Sequence, residues 1–275
     1  MLTEDKTTVI PKDTSETGDI RAAQATSTLG AIDPTRKTSL VAGILYLITF
    51  IASIAAVLLQ APVLNNPNYI ISTGADNQVI FGASLDLVNA LACIGTAVAL
   101  FWVVKRENES FALGFVATRI FEAATIVVGV VCILAIVSLR QAGAVGTDAA
   151  TLVITGKTLL AIRNWTFAIG PSLMPALNAL LLGTLIYRSR LVPRIIPTAG
   201  LIGGPLLISS FILTLFGISI PVWSLIAVAP IFFWEGSLGV WMVIKGFNRT
   251  APLIVAITAE KRWDKKSSVL LIGET

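Results

Sequence analysis

Six long stretches of mainly apolar residues follow one another along the chain, and short polar segments separate them. The stretches cover Ser39–Ala61, Val79–Val104, Phe111–Leu139, Thr158–Tyr187, Ile195–Gly217 and Pro221–Lys245. A run of about 20 apolar residues is long enough for a helix to cross the hydrocarbon core of a bilayer. The pattern therefore predicts an all-α membrane protein, built as a bundle of six transmembrane helices.

Positively charged residues in the short connections are distributed unevenly between the two sides of the predicted bundle. One side carries Arg36, Lys37, Lys105, Arg106, Arg188, Arg190, Arg194, Lys245 and Arg249. The other side carries Arg140 and Lys157. Because loops rich in Lys and Arg stay in the cytoplasm, this distribution places both termini there. We expect a disordered cytoplasmic tail over residues 1–38, the membrane domain over 39–247 and a cytoplasmic C-terminal tail over 248–275.

The composition agrees with a membrane protein and argues against several functional classes. Hydrophobic residues make up 55% of the 275 residues and charged residues 13%, whereas soluble domains carry about 25% charged residues. The basic helix ends explain the net charge of +4, so nucleic acid is not an expected partner. Histidine is absent, which removes histidine-ligated metals, histidine nucleophile pairs and histidine proton relays. No motif has the spacing of a catalytic site, a metal site or a cofactor site.

Several strings in the chain resemble those of a known membrane family. They are AGILYLITF at residues 42–50, ALGFVATRIFEAA at 112–124, FFWEGSLGVWMVIKGF at 232–247 and a long string that begins RNWTFAIGPSLMPALN at residue 163. Together they make the chain similar to a bacterial family described as domain-of-unknown-function family 4386. The resemblance implies a multi-pass protein of the bacterial inner or plasma membrane, and it implies no activity.

Five ionisable residues lie within the predicted spans, where a central charge costs about 2.5–3.5 kcal/mol on insertion scales. They are Asp86, Arg119, Glu122, Arg163 and Glu235. Small and polar residues accompany them at helical spacing, among them Asn89, Asn164 and Asn178. Faces of this kind turn towards other helices rather than towards lipid. We therefore expect the charged side chains to face the interior of the bundle and to pair there.

The depth of each charge suggests two groups of partners. At a rise of about 1.5 Å per residue, Asp86 and Arg163 lie roughly 10 and 8 Å from the outer ends of their helices. These two can pair, with Asn89 and Asn164 nearby. The remaining three charges lie roughly 12–17 Å from the inner ends, so they can form a triad near the midplane.

The predicted triad joins Arg119, Glu122 and Glu235, so two carboxyl groups face one guanidinium group. Two carboxylates that share one cation in a poorly solvated site should not both stay ionised. We therefore expect Glu122 or Glu235 to be protonated at neutral pH.

The fourth helix carries two prolines, Pro171 and Pro175, near the depth of the triad. Each proline removes a backbone hydrogen bond, which predicts a hinge or break in the helix. A broken helix beside midplane charges is where many transporters hold their substrates. The alternative is a static kink, which is common in membrane helices.

Two functional hypotheses remain, and a third is ranked below them. The first is binding or transport of a small molecule or ion at the charged site within the membrane. The second is a membrane sensor or scaffold that transports nothing, whose buried ion pairs only fix the packing of the helices. An intramembrane enzyme comes last, because the usual catalytic motifs are missing. The bilayer is the expected partner, and the sequence leaves the ligand and the oligomeric state open.

Overall fold

The computed structural model describes residues 34–72, 74–143, 148–260 and 263, and within them it contains helices and no strands. The helices are α1 (Pro34–Leu64), α2 (Asp76–Val104), α3 (Glu109–Ala142), α4 (Ala149–Phe167), α5 (Met174–Ser189), α6 (Ile195–Leu215), α7 (Pro221–Ile244) and α8 (252–260). A π-helical segment, Ala168–Leu173, joins α4 and α5 into one continuous span. In the described part of the chain, six spans are thus long and apolar enough to cross a membrane, and the predicted six-helix bundle is confirmed.

Two of the spans begin five or more residues earlier than the hydropathy pattern predicts. The first helix begins at Pro34, inside the segment predicted to be a tail, and residues 1–33 of that tail lie outside the described residues. The fourth span begins at Ala149, nine residues before Thr158, in a Gly- and Ala-rich segment that lies outside the predicted spans. The hydroxyls of Thr155 and Thr158 donate to backbone carbonyls one turn earlier, so these polar residues fit within the helix.

Small residues bring neighbouring spans close together, as is common in membrane bundles. A Cβ atom added at Gly43 of α1 would lie 2.8 Å from the backbone nitrogen of Val243 in α7. A Cβ atom added at Gly200 of α6 would lie 2.8 Å from the indole ring of Trp234, also in α7. The outer surface of the bundle carries many large apolar side chains, which suits a lipid environment.

The beginning of α1 and the end of α7 lie at the same end of the bundle. Nη1 of Arg36 donates to the carbonyl of Met242 at 2.8 Å, and Nη2 donates to the carbonyl of Val243 at 2.6 Å. Helix α8 packs across this end through the buried side chains of Ile254 and Ile257. We call it the basic end, because α2, α5 and α7 end there in the loops rich in Lys and Arg. That the basic end faces the cytoplasm stays a prediction.

The loop between α1 and α2 is anchored at the opposite end of the bundle. The hydroxyl of Tyr69 donates to Asp76 at 2.8 Å, and Arg140 of α3 forms an ion pair with the same carboxylate. Nε of Arg140 also donates to the carbonyl of Ser72 at 2.8 Å. Burial, followed by the hydrogen bond to Asp76, raises the pKa of Tyr69 to about 12. The loop is therefore fixed to the ends of α2 and α3.

Candidate functional site

The centre of the bundle holds a polar cluster built around Arg119 of α3, and we call it the Arg119 cluster. Glu122 lies one turn further along α3, and its Oε2 accepts from Nη1 of Arg119 at 3.0 Å. The same oxygen accepts from Nδ2 of Asn178 in α5 at 2.8 Å. The Oδ1 of Asn178 in turn accepts from the hydroxyl of Thr118 at 2.5 Å. Glu122 is therefore held by two donors from two different helices.

Glu235 of α7 joins the Arg119 cluster more loosely. Its Oε1 lies 3.7 Å from Nη2 of Arg119, which is an ion-pair distance but too long for a hydrogen bond. The side chain of Glu235 is 18% exposed, compared with 6% for Glu122. The depth argument from the sequence thus brought the right three charges together. The structure adds that the two carboxyl groups are held differently.

The other neighbours of the Arg119 guanidinium are weakly polar. The ring of Tyr46 in α1 lies 4.9 Å from its Cζ, and the ring of Phe115 lies 6.0 Å away. Sγ of Cys93 in α2 lies 3.6 Å from Nη1. Aromatic faces attract a guanidinium, especially where water is excluded. Side chains from α1, α2, α3 and α7 therefore converge on this one cation.

One edge of the Arg119 guanidinium makes no hydrogen bond among the described residues. Nε and Nη2 on this edge are both buried, and the carboxyl oxygen of Glu235 lies 3.7 Å from Nη2. The N–H groups on this edge point in the same direction, which is the geometry that receives a carboxylate or a phosphate in bidentate fashion. Unsatisfied donors on a buried charge cost more than about 1–3 kcal/mol. This edge therefore has the chemistry of an anion-binding group.

A second polar cluster lies nearer the opposite end of the bundle, and we call it the Gln60 cluster. Nε2 of Gln60 in α1 donates to Oδ2 of Asp86 in α2 at 2.7 Å. Oε1 of Gln60 accepts from Nη2 of Arg163 in α4 at 3.4 Å. The guanidinium of Arg163 also lies 4.7 Å above the ring of Phe167. The expected pair of Asp86 and Arg163 is thus bridged by an amide, and no direct ion pair joins them among the described residues.

The π-helical segment runs between the two clusters. Its Gly170 packs against α3 so closely that an added Cβ atom would lie 1.8 Å from Oγ1 of Thr125. A cavity of about 10 Å³ lies beside it, lined by Pro171 and by both charged residues of the Gln60 cluster. A cavity of that size holds one water molecule at most. The expected break at the prolines is therefore a widened helical turn within a continuous helix, because Gly170 lets the segment pack directly on α3.

The asparagines and the second proline lie in different settings from one another. Asn178 belongs to the Arg119 cluster, as described above. Asn89 is buried, and its Oδ1 lies 3.7 Å from Sγ of Cys93 rather than beside Asp86. Asn164 is exposed on α4. Among the described residues, its side chain forms no hydrogen bond with the Gln60 cluster. Pro175 lies in the first turn of α5, where a proline is readily accommodated.

Sequence reasoning did not assign a role to four residues that complete the clusters. They are Tyr46, Gln60, Cys93 and Thr118. Tyr46 and Gln60 of α1 and Cys93 of α2 each lie at helical spacing with other small and polar residues of the same helix. Such a stripe indicates that they face inwards. The stripe did not indicate which of its members would meet a charge. In the described part of the chain, no three Cys, Asp or Glu side chains form a group that could hold a metal ion.

Comparison with known proteins identifies one protein family. The model of the family described as "Domain of unknown function (DUF4386)" matches residues 41–246. This range contains every residue of the Arg119 and Gln60 clusters, and it confirms the resemblance seen in the sequence. Neither the curated proteins nor the solved structures gave a match.

Proposed function

The chain belongs to the DUF4386 family, whose description assigns no activity, and we propose that it binds a small anion at the Arg119 cluster and transports it together with a proton. The observation that carries this proposal is the guanidinium edge of Arg119 that lacks acceptors. The carboxyl oxygen of Glu235 lies 3.7 Å from Nη2, which is too far to satisfy this edge with a hydrogen bond. Carboxylate and phosphate groups are the anions that a guanidinium edge binds in bidentate fashion.

The two carboxyl groups of the Arg119 cluster have separate roles in this proposal. Glu122 is fixed by Arg119 and Asn178, so it provides a permanent counter-charge. Glu235 has no hydrogen bond to Arg119 and is partly exposed in the middle of a spanning helix. An ionised carboxylate that faces hydrocarbon is unfavourable, so this exposed part favours contact with water, a ligand or a proton. Glu235 is therefore the exchangeable group.

The exchange conserves charge within the membrane. In the empty site of the proposed cycle both carboxyl groups are ionised, in contrast to the expectation from the sequence that one of them is neutral. When an anion approaches the free edge of Arg119, the Glu235 carboxylate takes up one proton and becomes neutral. The anion then replaces the negative charge that Glu235 has lost, so the net charge of the cluster is unchanged. Release reverses both steps, and the proton leaves Glu235 as the anion leaves Arg119. One proton thus accompanies one negative charge in each direction, which keeps the electrostatic penalty of the buried site constant.

The Gln60 cluster gives specific support to the alternative, in which the buried charges are structural. There one acid and one base are balanced and are connected through a neutral amide. Buried pairs of this kind can fix the packing of helices without any further role. We assign this structural role to the Gln60 cluster and the exchange role to the Arg119 cluster.

The proposal is tested with purified protein in proteoliposomes that contain a pH-sensitive dye. Small monocarboxylates, dicarboxylates and inorganic phosphate are added outside, one at a time. We expect at least one of them to drive saturable proton uptake in the original protein. The Glu235→Gln variant should lose this uptake while its folded yield stays unchanged.

The matched control is Asp86→Asn, which removes a carboxylate from the Gln60 cluster instead. It should keep the proton uptake, because its carboxylate has no part in the exchange. Uptake at the original rate in Glu235→Gln would remove Glu235 from the mechanism. Loss of uptake in Asp86→Asn alone would move the site to the other cluster.

A further inference from the structure

The basic end of the bundle contains a cavity of about 580 Å³, which we call the basic cavity. It lies between the loop from α5 to α6 and the segment that follows α7. Four cationic side chains line it, namely those of Arg190, Arg194, Lys245 and Arg249. Its other lining residues include Trp241 and Asn248, and none of them is acidic. The cavity therefore concentrates positive charge in one concave space.

The acidic side chains that form ion pairs at the basic end pair with arginines outside the basic cavity. Arg106 pairs with Glu260 at 2.5 Å, and Arg188 pairs with Glu107 at 3.6 Å. None of the four cations of the basic cavity has an ion pair with another part of the described chain. The preference of Lys and Arg for one side of a membrane explains why they lie at this end. It does not explain why the four cations without acidic partners line the same cavity.

The loops around the basic cavity are held by specific backbone contacts. Arg190 follows the last residue of α5, and its φ of 56° is in the left-handed region. The backbone nitrogen of Asn248 donates to the carbonyl of Leu191 at 2.8 Å. Nε1 of Trp241 donates to the carbonyl of Gly246 at 3.1 Å, and Gly246 has a φ of 76° that favours glycine. The two walls of the cavity are therefore tied to each other.

The helix termini at the cavity also favour an anion. Arg194 precedes the first turn of α6, and no side chain caps this N-terminus. The N-terminal end of a helix carries a partial positive charge, which adds to that of the four cations. The opposite effect would come from the C-terminus of α7, but Arg36 donates to the carbonyls of Met242 and Val243 there. The N-terminus of α6 therefore adds to the positive charge of the four cations that line the cavity.

We propose that the basic cavity binds a phosphate group, carried either by the headgroup of an anionic lipid or by a soluble phosphate compound. Arginine and lysine side chains bind phosphate oxygens through charge-assisted hydrogen bonds. Basic pockets between transmembrane helices on the cytoplasmic side bind anionic headgroups in other membrane proteins. Trp241 stands at the inner end of α7, and tryptophan favours the depth at which headgroups lie. The site is separate from the Arg119 cluster and does not depend on transport.

The test uses the purified full-length chain in neutral detergent. Native mass spectrometry measures the binding of phosphatidylglycerol in competition with phosphatidylcholine, whose headgroup carries no net charge. Calorimetric titration measures the binding of inorganic phosphate. Arg194→Gln/Arg249→Gln removes two charges from the cavity. The matched control, Arg106→Gln/Arg188→Gln, removes two charges from the same end of the bundle but from outside the cavity.

We expect saturable binding of phosphatidylglycerol or of inorganic phosphate, and the probe that binds identifies the source of the phosphate group. The cavity variant should weaken this binding on the order of tenfold, because it removes two cations that each attract the negative charge of the phosphate group. The control should change it less than about twofold. Arg194→Lys/Arg249→Lys keeps the charges and should keep most of the affinity, which separates loss of charge from loss of folding. Equal losses in the cavity variant and the control, or no saturable binding of either probe, would overturn the proposal.

Discussion

The Arg119 and Gln60 clusters are both buried between spans, and both include side chains from α1 and α2. The Gln60 cluster adds one from α4, and the Arg119 cluster adds others from α3, α5 and α7. In the Gln60 cluster one carboxylate and one guanidinium are bridged by an amide that bonds to both. In the Arg119 cluster one guanidinium faces two carboxyl groups, and one of its edges has no acceptor among the described residues. The Gln60 cluster is balanced in charge, so it needs no additional proton or ligand. The Arg119 cluster is unbalanced and has buried donors without hydrogen bonds, so a proton or an anion can stabilise it.

The difference teaches that buried charge in a membrane is not one kind of signal. The same insertion penalty applies to every ionisable side chain in the middle of a span. What distinguishes the two clusters is whether acid and base are balanced, and whether fully buried donors are left without a hydrogen bond. Glu122 uses its Oε2 twice, whereas Glu235 makes only a 3.7 Å contact. Function is therefore expected where a buried charged group still has donors or acceptors without a hydrogen-bond partner.

The largest effect should come from removing the central cation. Arg119→Leu leaves two carboxyl groups in the core without a counter-charge, so we expect a loss of about 3–5 kcal/mol in the free energy of unfolding. Unfolding in mixed micelles of neutral detergent and dodecyl sulfate measures this. The triple variant Arg119→Leu/Glu122→Gln/Glu235→Gln removes all three charges and should recover most of the stability. A triple variant no more stable than the single one would argue against an electrostatic cause.

A smaller effect should follow from breaking the bridge in the Gln60 cluster. Gln60→Leu removes the acceptor of Arg163 and the donor to Asp86, so we expect a loss of about 1–3 kcal/mol in the same unfolding measurement. Gln78→Leu is the matched control, because Gln78 is exposed at the beginning of α2 and should tolerate the change within about 0.5 kcal/mol. Similar losses in both variants would mean that the bridge has no special importance.

The smallest effect should separate the two carboxyl groups of the Arg119 cluster. Glu122→Gln disrupts hydrogen bonds of a charged group and should cost about 1.5–3 kcal/mol. Glu235→Gln disrupts a longer contact at a more exposed position and should cost less than about 1 kcal/mol. The order should reverse for proton uptake, which Glu235→Gln abolishes despite its small effect on stability. If the two variants lose equal stability, the distinction between a fixed and an exchangeable carboxyl group is wrong.

The sequence predicted the six spans and the Arg119, Glu122 and Glu235 triad, because both follow from hydropathy and from rise per residue. It did not predict the role of Gln60. That residue is one polar member of a long stripe on α1, and its partners depend on how α1, α2 and α4 are placed in three dimensions. The sequence also could not predict that Glu235 lies farther from Arg119 than Glu122 does. A depth estimate has an uncertainty of several ångströms, so it cannot distinguish a contact of 3.0 Å from one of 3.7 Å.

The region of the fourth span was predicted least well, for two local reasons. Its first turns lie in a Gly- and Ala-rich segment outside the predicted span, and their threonine hydroxyls donate to the helix backbone. Pro171 correctly marked an irregularity. Its form, a π-helical segment rather than a break, depends on the direct packing of Gly170 against Thr125. That packing joins residues distant in sequence, so no local pattern indicates it.

The central claim is that Glu235 is the member of the Arg119 cluster that solvent and ligand can reach. It is tested most directly by thiol labelling in membrane vesicles, in a background where Cys93 and Cys132 are replaced by alanine. A charged, membrane-impermeant thiol reagent is applied to Glu235→Cys and to Glu122→Cys. We predict that Glu235→Cys reacts, that an anion which drives proton uptake protects it, and that Glu122→Cys stays unlabelled. If neither Glu235→Cys nor Glu122→Cys is labelled, water does not reach the cluster and its charges are structural, which would contradict the account.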